Sequence, residues 1–86
     1  MKIKAYKRFL KAYRSLPENV QRKVDKQIAL LSEDFKYPSL HTKKIKGREG
    51  IWEARIDMHH RLTFEIIEDT IFLRVAGNHD EVLRSP

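Results

Sequence analysis

The segment "WEARIDMHHRLTFE", residues 52–65, alternates in character almost without a break. Successive side chains of an extended chain point to opposite faces, so Trp52, Ala54 and Ile56, then Leu62 and Phe64 after an interruption, line one apolar face. Glu53, Arg55, Asp57, Arg61, Thr63 and Glu65 line the other. This pattern predicts two antiparallel strands, 51–57 and 61–67, joined at Met58-His59-His60. Residues 70–76 repeat the alternation through Ile71, Leu73 and Val75 after a turn at Glu68-Asp69, which makes a three-strand antiparallel meander. Its apolar face needs a cover.

The cover lies upstream. Tyr6, Phe9, Leu10, Tyr13 and Leu16 recur at spacings of three and four, the stripe of an amphipathic helix, with Lys7, Lys11 and Arg14 on the far side. Ser15 and Glu18 have capping-box spacing around Pro17, so a second helix starts there. It buries Val20, Val24, Ile28, Leu31 and Phe35 and ends at Tyr37-Pro38. Met1, Ile3 and Ala5 alternate with Lys2 and Lys4, the pattern of a short initial strand. The expected architecture is a single α+β domain over residues 1–86: N-terminal strand, helical hairpin, then the antiparallel three-strand meander, with the helices packed on one face of the sheet. Trp52 belongs to its core, against Phe9 or Ile28.

Composition narrows the function. The chain has no cysteine, which excludes disulfides and thiolate zinc sites. Its longest apolar run, Ile28-Ala29-Leu30-Leu31, is far below the ~20 residues of a membrane span. The first fourteen residues interrupt their apolar positions with cations and lack the h-region of a signal peptide, so a cytoplasmic protein without membrane contact is expected. Residues 1–48 hold 14 Lys/Arg against 4 Asp/Glu, and residues 49–86 hold 4 against 8. Such asymmetry suits a polyanion partner, and it also suits helices that are merely well solvated. The most basic stretch, "YPSLHTKKIKGREG", has no clear periodicity and delivers Lys43, Lys44, Lys46 and Arg48 to the start of the strand at Trp52.

With the apolar face covered, the other face collects Glu53, Arg55, Arg61, Thr63, Glu65, Phe72 and Arg74. Neighbouring strands lie about 4.8 Å apart, so three arginines on three strands can converge on one ligand-sized area. Either Glu53 and Glu65 answer them in a cross-strand ladder, with Glu53 pairing Arg55, or an external anion does.

The order of elements, with "KKIKGREG", "IWEARI", "HRLTFEI" and "TIFLRVAGNHDEV", resembles the RelE/ParE superfamily of toxins from bacterial and archaeal toxin–antitoxin pairs. The likeness covers essentially the whole chain. Its most specific parts are the aromatic-led strand at Trp52, the Arg-Leu-x-Phe start at Arg61 and the Val-x-Gly-x-His turn from Val75 to His79. The resemblance implies a toxin held inactive by a cognate antitoxin. RelE-like members cut mRNA on the ribosome, without metal or other cofactor, by attack of the 2′-hydroxyl on the adjacent phosphate. ParE-like members act on DNA gyrase.

Carried over residue by residue, Arg61 matches the arginine that stabilises the scissile phosphate, and Arg55 matches one of two catalytic lysines. Glu53 holds the place of the other lysine, and Leu83 stands where a base-stacking tyrosine is found. No C-terminal helix is expected before Pro86. The reaction needs a base, an acid and cations around the phosphate. His79, in the turn after the last strand, suits the acid; Glu53 is the candidate base; Arg55 and Arg61 can clamp oxygens in pairs. Lys43, Lys44, Lys46, Arg48 and Arg74 are expected to bind RNA backbone. Asp80 is expected to cap the turn or orient His79, and His41 has no assigned role. The alternatives are a gyrase-directed toxin and an inactive antitoxin-binding relative.

Overall fold

The computed structural model describes residues 1–86. Five strands form its sheet: β1 (Lys2–Ala5), β2 (Lys43–Lys44), β3 (Trp52–Arg55), β4 (His60–Ile67) and β5 (Thr70–Asn78), in the spatial order β1-β5-β4-β3-β2. The meander of β3, β4 and β5 is present. Two features enlarge it. β1 pairs with β5 in parallel, Ile3 opposite Ile71, so the sheet is mixed rather than purely antiparallel. A parallel neighbour requires a long crossover, and the helical hairpin supplies one. β2 emerges from the basic stretch because each of its residues finds a cross-strand partner: Lys43 faces Glu53, and the Lys44 ammonium lies 5.5 Å from the Trp52 ring centroid.

Helices α1 (Lys7–Arg14) and α2 (Glu18–Glu33) form the hairpin. Ser15 is the C-cap of α1, its hydroxyl donating to the Lys11 carbonyl at 3.2 Å, and Pro17 is the N-cap of α2. The expected capping box is therefore not formed. Phe9, Val20, Val24 and Leu31 from the helices meet Ala54, Ile56, Leu62, Phe64, Ile71, Leu73 and Ala76 of the sheet side, with Leu40 closing one end. Because α1 has only eight residues and begins at Lys7, its expected stripe is cut short; Tyr6 and Leu10 are 39% and 41% exposed. Gln27 is buried beside the half-buried Ile28, and its amide donates to the Arg55 carbonyl at 2.8 Å, tying α2 to the end of β3. Trp52 stacks on Phe64 and meets the edge of Phe35, rather than Phe9 or Ile28.

A register shift at Thr63/Phe64 pairs Phe64 with Leu73 but Thr63 with Val75, so Arg74 is the extra residue of a bulge. The bulge reverses the alternation beyond it. Ala76 is buried on the core side and Val75, expected inward, is only half-buried.

A third helix, α3 (His79–Arg84), follows β5 directly, where none was expected. Asn78 caps it by accepting from the Asp80 N–H at 3.0 Å, and Asp80 and Glu81 occupy its first turn, where carboxylates favour a helix start. Val82 is buried beside Gly77; a β-carbon on that glycine would lie 3.5 Å from Val82 Cγ2. The main-chain oxygen of Pro86 accepts from Thr63 Oγ1 at 3.1 Å and Arg74 Nε at 3.0 Å. The end of the chain thus covers the middle of the supposedly open sheet face, and Thr63 is fully buried. No helix is long and apolar enough to cross a membrane.

Replacing Thr63 by valine keeps the shape but removes the donor to Pro86. The expected result is destabilisation by about 1 kcal/mol in thermal melts, with faster amide exchange confined to α3.

Candidate anion-binding site

β3 and β4 place Arg55 directly opposite Arg61. The two arginines differ sharply in their surroundings. The Arg61 side chain is 16% exposed, and its Nη1 donates to the carbonyls of Asp57 at 2.6 Å and His60 at 2.9 Å. Its Nε lies 4.0 Å from Glu53 Oε1, and Nη2 has no partner within the protein. Arg55 forms no ion pair; only its carbonyl is engaged, by Gln27. Glu53 is 5% exposed and lies between Arg61 and Lys43, whose ammonium is 3.8 Å from Oε1. The expected Glu53–Arg55 pair is therefore replaced by a Lys43–Glu53–Arg61 arrangement. The physical reason is register: residues 53 and 55 lie two positions apart on one strand, whereas Lys43 is directly opposite Glu53.

Two shallow hollows meet at Arg61. One, about 360 Å³, is lined by His41, Thr42, Lys43, Glu53, Arg55 and Arg61, with no apolar residue. The other, about 310 Å³, is lined by Met58, His59, Arg61, Asn78, His79 and Asp80. His79 is the first residue of α3 rather than part of a turn, and its N–H donates to the His59 carbonyl at 2.8 Å, which locks the helix start to the β3–β4 hairpin tip. His79 Nδ1 lies 3.3 Å from Asp80 Oδ1. Asp80 is therefore within reach of the His79 ring, while the capping falls to Asn78.

His41 gains a place that its sequence does not announce. It follows the 3-10 turn Pro38–Leu40 with φ of +46°, a left-handed conformation that non-glycine residues rarely adopt, and Leu40 beside it is fully buried. An anchored turn therefore places His41 at the edge of the all-polar hollow. A lone histidine in a loop carries no sequence signal of this kind, since backbone conformation decides where it points.

Other expected contributors lie apart. Lys44 and Arg48 line a hollow on the Gly47–Gly50 loop, and Lys46 is exposed nearby. Arg74 binds Glu65 at 3.1 Å and Pro86, in a separate cluster where Tyr6 donates to Glu65 at 2.5 Å and stacks on Phe72. The Glu65 hydrogen bond, then partial burial, then the carboxylate's charge raise the Tyr6 phenol above its ordinary value of 10.0. A larger hollow of about 480 Å³ opens between α1, β5 and α3, but neither Arg55, Arg61 nor His79 reaches it.

Asp57 ties the hairpin tip together. Its Oδ1 accepts from the His59 N–H at 2.8 Å, the His60 N–H at 2.9 Å and His60 Nδ1 at 2.9 Å, and its Oδ2 accepts from Lys23 Nζ of α2 at 3.2 Å. Burial opposes the charge, but the bonds from the His60 ring, the His59 N–H, Lys23 and the His60 N–H outweigh it. The carboxyl is held well below its ordinary value of 3.8.

The arrangement is a small α+β domain with apposed arginines and a tethered histidine at one end of β3 and β4, and a cation-rich loop at the other end of β3. No protein-family model and no curated protein sequence matches the chain significantly. Solved structures do match. The chain aligns with the RelB–RelE antitoxin–toxin complex of Methanococcus jannaschii at a TM-score of 0.78 and 21% identity, covering 96% of this chain and 99% of that one. It aligns with a YoeB/ParE toxin from Agrobacterium tumefaciens at 0.79 and 16%, covering 92% and 99%, and with YafQ from E. coli at 0.80 and 13%, covering 94% and 96%. The chain therefore has the fold of RelE- and ParE-type toxins over almost its full length.

The depressed Asp57 pKa fixes a pH window. A carboxylate of this kind contributes its full stability above the ordinary value of 3.8 and loses it as pH falls toward the lower folded value. Asp57→Asn should therefore cost about 1–2 kcal/mol in urea unfolding at neutral pH, and the gap from wild type should close as pH drops below about 4.

Proposed function

We propose that this chain is the toxin of a toxin–antitoxin pair and that it cleaves mRNA on the ribosome by attack of a 2′-hydroxyl on the adjacent phosphate. The observation that carries this reading is the apposition of Arg55 and Arg61, with Arg55 unanswered by any carboxylate. Like charges directly across a strand pair destabilise it, and a bound phosphate would relieve the repulsion. Arg61 offers Nη2 to the phosphate and Arg55 supplies the opposing charge.

In-line transfer places the attacking and leaving oxygens on opposite sides of phosphorus. His41 and His79 lie in the hollows on opposite sides of Arg61, one toward β2 and one at the end of β5. An imidazole can both give and take a proton, which suits either transfer. In this reading His79 protonates the leaving oxygen and His41, with Glu53 as the alternative, accepts the 2′-hydroxyl proton. Lys43, Lys44, Lys46 and Arg48 extend the cationic surface along the β2–β3 loop and bind the flanking backbone. The partner is a cognate antitoxin, in keeping with the antitoxin–toxin complex among the structures that share the fold.

A second reading rests on Glu53. Its carboxylate is buried between Lys43 and Arg61 and takes up cationic charge that a phosphate would use. That favours a ParE-like toxin directed at DNA gyrase, or an inactive antitoxin-binding relative.

Induction in cells, with mRNA 5′ ends mapped against an Arg61→Ala/His79→Ala control, separates these readings. New cuts confined to translated frames, reduced on the order of 10²-fold or more in the control, are expected. Growth arrest with intact mRNA would contradict the nuclease reading. Neutralising Lys43, Lys44 and Lys46 together should weaken ribosome binding and flatten its dependence on log salt by on the order of 0.7 for each phosphate that is no longer neutralised.

A further inference from the structure

The arginine that centres the site is not positioned by its own strand alone. Nη1 of Arg61 is held by the carbonyls of Asp57, in the tight turn that precedes β4, and of His60, the first residue of that strand. Those carbonyls point at the guanidinium only while the turn keeps its shape, and the Asp57 carboxylate determines that shape. It receives three N–H groups from His59 and His60 and the ammonium of Lys23. The Ile56 and Asp57 N–H groups both donate to the His60 carbonyl, at 3.0 and 3.3 Å, closing the turn from the other side. From α2, Gln27 fixes the Arg55 carbonyl at the turn's entry.

We propose that Asp57 is a positioning residue for Arg61: its carboxylate organises the 57–60 turn so that two carbonyls hold Nη1 and leave Nη2 directed to the ligand. The proposal rests on the reading of Arg61 as the phosphate ligand. A guanidinium tethered at one nitrogen presents a fixed face, whereas an untethered one samples several rotamers and meets the phosphate productively in only a fraction of them. Misplacement by about 1 Å is enough to cost on the order of 10²-fold in rate. Lys23 extends the chain of support to α2, so the helical layer takes part in aiming a group on the far face of the sheet.

The test pairs a direct view of Arg61 with cleavage kinetics on ribosome-bound mRNA. In wild type the Arg61 guanidinium should give distinct Nη signals by nitrogen-15 NMR, the signature of hindered rotation. In Asp57→Ala those signals should merge, with kcat falling about 10- to 100-fold and KM nearly unchanged. Asp57→Asn keeps an acceptor oxygen and should retain activity to within a few-fold. In an Arg61→Ala background, Asp57→Ala should reduce the rate little further. If Asp57→Ala does not fold, Asp57→Ser, whose hydroxyl can still accept one turn N–H, takes its place. Unmerged Arg61 signals in the folded variant would overturn the proposal, as would an Asp57→Ala effect that simply adds to that of Arg61→Ala. Full cleavage by Arg61→Ala would instead remove the phosphate-ligand reading, and the NMR comparison would still decide whether Asp57 holds Arg61.

Discussion

Two guanidinium groups facing each other across β3 and β4 set the terms for everything around them. The repulsion between Arg55 and Arg61 is of the order of 1 kcal/mol or less, whereas fully burying a residue such as Leu62 or Phe64 contributes about 1.5–3 kcal/mol. The core beneath the sheet therefore wins, and the charges are held together at its surface. Glu53 answers Arg61 and Lys43, and carbonyls of the hairpin tip fix one Arg61 nitrogen. Nothing within the protein answers Arg55. An arrangement of this kind is stable enough to fold and still lacks an anion.

The layers divide the labour. The helical face supplies the apolar cover through Phe9, Val20, Val24 and Leu31, and it also reaches the site through Gln27 and Lys23, which anchor the carbonyl of Arg55 and the carboxylate of Asp57. On the other face, α3 and the chain end cover Thr63 and engage Arg74, while the all-polar hollow around Arg55 and Arg61 stays open. A shared fold leaves the activity to be argued from this end of the sheet, since one architecture can carry different functions.

Strict alternation in residues 52–65 makes the central strands legible, because a period of two with one apolar face admits few other solutions. The sheet's edges are not legible in the same way. β2 is two residues long and exists through its pairing with β3, and the direction of β1 depends on a crossover rather than on its own sequence. The bulge at Arg74 inverts the inward register of Val75 and Ala76, a local slip that the alternation of "TIFLRVA" conceals. In the site, strand parity alone places Arg55, Arg61 and Glu53 together. It says nothing of His41, whose contribution depends on a left-handed turn anchored by Leu40. α3 is hidden when Gly77-Asn78 is read as a turn, although Asn78 followed by Asp80 and Glu81 is a helix-start pattern.

A double-mutant cycle on stability, with Arg55→Gln, Arg61→Gln and the combined variant melted at low and high salt, addresses the uncompensated repulsion directly. A repulsive coupling between the two positions at low salt, weakening as ionic strength rises and as inorganic phosphate is added, is the result this account predicts. An absent or attractive coupling would contradict it, because the two arginines would then already be satisfied within the protein.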